Sequence, residues 1–340
     1  MKRVILLSGC IALLLGMTAC NMIEKEERET DRKVILNLPP FDSIGDSIRN
    51  DPENAGLLLE RAVRLSQHTH HDLASEDYKK AWELTKDEQI LMAYISNVLL
   101  VGDFSLAVDL LKEGQNQFDH NPEFSRRLGE VYMQLDRPQL ALKEYDHILQ
   151  RDSSDFEVWF ERGMLLSKMN DTANAIRSLE RSYESMPIAY TGLALANLYV
   201  SVKDSRALDI CDAILNRDSS IHQIDALFLK GVYYAETGNP TEAVKQFDDC
   251  IRRDWKFIDA HLEKGIVYYK QRDYEQALEV FKLATTVSNT VADPWYWVGR
   301  VYEVQGNSDE ARLNYQRALS LEPDFYEAEI RLRNLARTEG

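Results

Sequence analysis

The chain has 340 residues, with 56 acidic against 40 basic side chains and a formal charge of −16. Such a balance argues against nucleic acid as a partner and against a polybasic hold on anionic lipid. After the first nineteen residues no segment is long and apolar enough to span a membrane.

Residues 1–19 read as a targeting segment rather than as part of the fold. Lys2 and Arg3 give a positive start, and Val4 to Leu15 form a mainly apolar run. That run is short of the roughly 20 residues a bilayer requires. Removing 1–19 deletes those two bases and no acid, which leaves −18 on the body. The segment closes on Met17-Thr18-Ala19-Cys20, which resembles the lipobox of bacterial lipoproteins. The resemblance implies cleavage before Cys20, its lipidation, and attachment to a Gram-negative outer membrane on the periplasmic side, or alternatively at the cell surface. Each buried acyl methylene is worth ~0.8 kcal/mol, so more than one chain would anchor stably. Leu7-Ser8-Gly9-Cys10 fits the same local pattern but would leave almost no hydrophobic core.

Residues 20–54 then hold the lipidated cysteine, a charged tether and an N-terminal cap. Residues 21–34 lack helical apolar spacing and read as a solvated tether. Their acids resemble the surface-export signals of some Bacteroidota lipoproteins. Ile35 to Ile44, with Pro39-Pro40, is expected to be extended, and Asp42 to Arg49 to form a short cap before Asp51-Pro52.

From residue 55 the chain repeats, in units of 55–87, 88–121, 122–155, 156–188, 189–223, 224–257, 258–291 and 292–325. The last three units show the pattern without a gap. Glycine falls at Gly231, Gly265 and Gly299, and tyrosine at Tyr234, Tyr268 and Tyr302. Alanine follows at Ala243, Ala277 and Ala311, an aromatic at Phe247, Phe281 and Tyr315, and a small residue at Cys250, Ala284 and Ala318. Leu227, Gly231 and Tyr234 lie at i, i+4 and i+7, one face of a helix. Ala243, Phe247 and Cys250 repeat that spacing on a second helix, and Gly238-Asn239-Pro240 stops the first. With Trp295 and Pro323 added, this resembles the tetratricopeptide repeat (TPR), W-x2-L-G-x2-Y…A-x3-F…P at period 34. The resemblance implies an all-α TPR solenoid, a right-handed superhelix of about eight antiparallel helix pairs, closed by a capping helix at 326–340. Length alone suggests two domains; a one-dimensional stack needs no single large core.

Two units depart from the pattern. The second has Ile95 where a small residue belongs, which predicts a looser or splayed pair. In the fifth, Ala207, Cys211 and Ile214 come one residue early, which predicts a shortened inner turn and a kink in the stack. Cys211 and Cys250 fall at core positions of second helices and are expected to be buried free thiols.

No spacing announces catalysis: there is no G-x-S-x-G, H-E-x-x-H, G-x-x-x-x-G-K or G-x-G-x-x-G. His68, His70 and His71 cluster in a predicted turn, where they read either as a metal-binding group or, by the more economical reading, as a solvated turn. No cofactor is expected, and the chain is read as a non-enzyme.

What the resemblance implies instead is a concave groove lined by first helices at positions 2, 5, 9 and 12 of each unit. The predicted partner-binding set is Phe160, Asn197, Phe228, Leu262, Ile266, Tyr269 and Tyr296, with Asp225, Asp259 and Asp293 along one margin. Such a surface suits a protein or peptide segment with apolar anchors and basic flanks. The functional expectation is a lipid-anchored scaffold or adaptor in a bacterial envelope assembly, or alternatively a glycan- or peptide-binding carrier.

Overall fold

The structure is a computed structural model describing residues 32–217 and 222–338. The predicted targeting segment, Cys20 and most of the tether lie outside the described residues. Helices account for the described chain, joined by short turns, and no strand occurs among these residues. A short helix α1 (32–36) and α2 (Asp42–Asn50) precede a run of helix pairs. The pairs are α3 (Ala55–Gln67) with α4 (His71–Thr85), α5 (Glu88–Val101) with α6 (Phe104–Gln117), and α7 (Glu123–Gln134) with α8 (Pro138–Arg151). They continue with α9 (Phe156–Lys168) and α10 (Thr172–Ser185), then α11 (Ala189–Ser201) and α12 (Arg206–Arg217). The last are α13 (His222–Glu236) with α14 (Pro240–Arg253), α15 (Ile258–Lys270) with α16 (Tyr274–Val287), and α17 (Ala292–Val304) with α18 (Ser308–Leu321), followed by α19 (Tyr326–Thr338). Between Arg151 and Asp152 the chain divides into two compact units.

Each inner turn is made the same way. The residue fifteenth in the unit is left-handed in all eight pairs: Thr69, Gly102, Asp136, Asn170, Lys203, Gly238, Arg272 and Gly306. The next amide reaches back five residues, as in Asn239 N to Tyr234 O (2.8 Å) and Asp273 N to Tyr268 O (3.0 Å). This is the Schellman closure, which satisfies carbonyls that a helix end leaves orphaned. Only three of the eight are glycine, so the closure outweighs the roughly 1–2 kcal/mol a side chain costs in that conformation. Many of the acids then act as N-caps: Asp87, Asp103, Asp155, Asp171 and Asp273 each accept an amide of the following helix.

The glycines of the pattern answer the aromatics. A Cβ on Gly231 would lie 2.5 Å from the Phe247 ring, and one on Gly299 would lie 2.7 Å from that of Tyr315. In the second pair Ile95 and Leu111 are both fully buried, and α5 and α6 are the least intimately packed of the pairs. The fifth pair shortens in a different place from the one expected. Its turn at Lys203 is intact, and the missing residue is absorbed in the first turn of α12, where Ala207 N bonds Asp204 O (3.2 Å) and Leu208 N bonds Ser205 O (2.9 Å). These are the tighter 3₁₀ bonds. In consequence α11 packs directly along α13, whereas α13 meets α15, and α15 meets α17, only glancingly.

The N-terminal segment also departs from expectation. Residues 35–36 are helical and Ser43 and Ile44 belong to α2, because Phe41, Ile44 and Ile48 bury themselves on the first pair. The histidine turn receives them. His68 and His70 set ring edges against Phe41, at 5.3 and 5.9 Å between centroids. His68 bonds the Arg64 carbonyl (2.8 Å), and His71 Nδ1 lies 3.2 Å from Asn97 Oδ1. In this unit the imidazoles join the cap to the stack.

Cys211 and Cys250 are free and buried. Burial pushes both thiols up to about 12, so both stay protonated at neutral pH.

Candidate functional site

In the second unit the first helices α9, α11, α13, α15 and α17 present the residues predicted to face a partner, and α19 follows as a sixth in the same register. Its Ala328 is buried at the place Ala226 and Ala260 hold in α13 and α15. An amphipathic helix buries one stripe and leaves the rest to solvent, and these groove positions lie at the edge of the buried stripe.

The structure therefore sorts the predicted set. Asn197, Asp225 and Asp259 are exposed. Phe160 is half-buried, and Phe228, Leu262, Ile266 and Tyr269 are half-buried with one side on the core. Phe228 meets Phe257 edge-on at 5.3 Å, and Tyr269 meets Trp297 at 5.4 Å. Tyr296 departs from the expectation. It is only 7% exposed, and its ring packs between Phe325 (5.0 Å) and Tyr315 (5.8 Å). The reason is α19, whose approach covers the ring; truncating Tyr296 would open a core cavity.

An arginine ties this end together. Arg300 donates from Nη1 to Tyr296 Oη and from Nη2 to Tyr269 Oη, each at 3.1 Å. Its guanidinium also lies 5.5–5.8 Å from the rings of Tyr269, Tyr296 and Trp297. Behind it Glu303 accepts from Tyr315 (2.5 Å) and Arg331 (3.4 Å). Tyr269 is thus a half-exposed ring held in one orientation.

The predicted set omitted two features. Met164 (45%) and Tyr190 (42%), at groove positions 9 and 2, are large apolar side chains left exposed. Tyr190 sets its ring edge-on to Phe160 at 4.9 Å. It also borders an open hollow of about 420 Å³, lined further by Tyr183, Pro187, Ile188, Ile214 and Arg217. The available signal was an aromatic at position 2, where every neighbouring unit carries an acid. The second feature is Glu327, which stands 34 residues beyond Asp293 and carries the acidic margin into α19.

The electrostatics of the margin agree with its geometry. Burial pushes the Asp293 carboxyl above its ordinary value, and the like charges of Asp259 and Glu327 push it further. Glu263 is raised by burial first and by Glu236 and Asp259 after it, with Lys270 opposing. Of the lysines of these helices, Lys230 pairs with Asp212, Lys264 with Asp248 at 2.6 Å, and Lys270 with Glu236 at 3.3 Å. The face is apolar along its middle and negative along one edge.

Comparison with known proteins agrees with the helix pairs. Tetratricopeptide repeat family models match residues 156–187, 224–254, 258–290 and 292–325. The peroxisomal targeting signal receptor of Saccharomyces cerevisiae is 22% identical over 343 aligned positions, covering 92% of this chain and 53% of the relative. The chain thus spans about half the length of that protein. Among solved structures, a tetratricopeptide repeat protein from Parabacteroides merdae superposes with a TM-score of 0.58 at 17% identity, over 73% of this chain and 98% of that one. PilW, a type IV pilus biogenesis factor, gives 0.52 at 15% identity over 63% and 98%. At such identities the likeness is one of fold: an all-α stack of TPR-type helix pairs.

Proposed function

We propose that this chain of tetratricopeptide repeats is an adaptor, not an enzyme, which holds a protein or peptide partner on the first-helix face of its second unit. The observation that carries this reading is the patch formed by exposed Met164 and Tyr190 with half-buried Phe160, on that face beside an open hollow. Exposed apolar groups that cluster mark interaction sites, whereas scattered ones need no explanation. The partner belongs to an envelope assembly, and the adaptor is held to a bacterial outer membrane through lipid on Cys20. Support for the anchor is the sequence of residues 1–20.

A photo-crosslinking amino acid placed at Tyr190 should give a discrete adduct in cells. The same probe at Leu283, exposed on the second helix α16, should give none. Equal labelling from both positions, or none from Tyr190, would remove the groove reading. The anchor is tested separately by fractionation. Cys20→Ser should leave the membrane fraction for a soluble or unprocessed form, and a processed variant that stays membrane-bound would point to another anchor.

A further inference from the structure

The margin of the groove repeats with the chain. Asp225, Asp259, Asp293 and Glu327 stand at strict 34-residue intervals, each second in its helix unit, on α13, α15, α17 and α19. These helices lie side by side: α13 touches α15, α15 touches α17, and α19 flanks α17 through Phe325 on Tyr296 and Arg331 on Glu303. Equivalent positions on helices that touch fall along one edge, and the like charges of Asp259 and Glu327 both act on Asp293. Beside this ladder runs the half-buried strip of Phe228, Leu262, Ile266 and Tyr269.

We infer, resting on the adaptor reading, that this strip takes an extended polypeptide segment with a lysine or arginine at every third residue and apolar side chains between. Helices that touch stand on the order of 10 Å apart, which sets the spacing of the rungs. An extended or polyproline-type chain advances about 3.1–3.3 Å per residue, so about three residues cover one rung. A bound α-helix rises ~1.5 Å per residue and would need about seven for the same step, together with a trough to take its ~10 Å width. Leu262, Ile266 and Tyr269 are backed by the buried cluster of Ala277, Phe281, Val298 and Val301, which leaves their outer sides as a strip. A polyproline-type segment lying flat suits it, since its three residues per turn return every third side chain to the ladder and turn the others toward the apolar strip or the solvent. Charge complementarity here sets register and speeds encounter more than it adds affinity.

The test uses the chain without residues 1–19 and fluorescein-labelled synthetic peptides, read by anisotropy. The first peptide carries lysine at every third position, with leucine and serine between. A second has the same composition with its lysines gathered at one end, a third replaces lysine by glutamate, and a fourth is an alanine-rich helix with lysine at every seventh position. The first should bind at least about tenfold tighter than each of the others, more weakly as salt rises. The variant carrying Asp225→Asn, Asp259→Asn and Glu327→Gln should lose roughly fivefold in affinity for the first peptide and most of its salt dependence. Its circular dichroism should be unchanged, since Asp225, Asp259 and Glu327 are exposed. Equal binding of the gathered-lysine peptide would overturn the register, and tighter binding of the helical peptide would overturn the extended form. Binding indifferent to the three substitutions would overturn the ladder. If no basic peptide binds while the Tyr190 crosslink persists, this inference falls and the adaptor reading stands; if the crosslink fails too, both fall.

Discussion

Replacing Ala277 by glutamate should cost the second unit about 3–5 kcal/mol, because it places a carboxylate where neither water nor a partner is available. Ala277 has no exposed surface and sits in a cluster with Phe281, Val298 and Val301. These residues come from α16 and α17, so the added group would disrupt both helix pairs at once. Stability in a stack is a sum of local terms and nearest-neighbour contacts, and the damage should spread to adjoining pairs. Urea denaturation would read the loss, and hydrogen exchange would map it. Faster exchange is expected in α13 to α18, with α9 less affected. A loss under about 1 kcal/mol would mean that the pair opens to admit water, and exchange confined to α16 would count against nearest-neighbour coupling.

In the first unit the largest single effect should come from Arg61→Met. Arg61 donates from Nε and Nη2 to the two carboxylate oxygens of Asp77, at 2.6 and 2.7 Å, with the two side chains only 13% and 8% exposed. This is the bidentate fork on which guanidinium and carboxylate match best. Removing the arginine leaves Asp77 buried and unpaired, which should cost about 3–5 kcal/mol. The double variant Arg61→Met with Asp77→Leu should recover most of that loss, since a buried pair exchanged for apolar groups of similar volume is close to neutral. Thermal unfolding of both variants decides it. A double variant no more stable than the single one would mean that the pair contributes shape that methionine and leucine cannot replace. The exchange map should show the change in α3 and α4 first, where both partners reside.

The two substitutions differ in how they could be foreseen. Ala277 was legible as a helix contact from spacing alone, since the alanine, the aromatic and the small residue recur on one face in the last three units. Nothing in the spacing announced Arg61 with Asp77. They lie on different helices sixteen positions apart, amid many other acids and bases that stay in water. Their pairing depends on how α3 crosses α4.

The same division runs through the whole chain. The amino-acid sequence by itself determined the helix pairs, their 34-residue period, the glycines that make room for Phe247 and Tyr315, and the buried thiols of Cys211 and Cys250. All of these rest on contacts between residues three, four and seven apart, or on one pattern repeated in register, and local periodicity encodes them directly. Tertiary structure alone decided which groove positions stay open. Tyr296 is closed because α19 brings Phe325 onto it, while Tyr190 is open because its neighbours leave a hollow there. Residues at the edge of a buried stripe have no fixed fate of their own: a neighbour about thirty residues away either covers them or does not. The left-handed turns at Thr69, Lys203 and Arg272 belong to the same class. Their side chains do not favour that conformation, and the closing hydrogen bonds of the packed helix pair impose it.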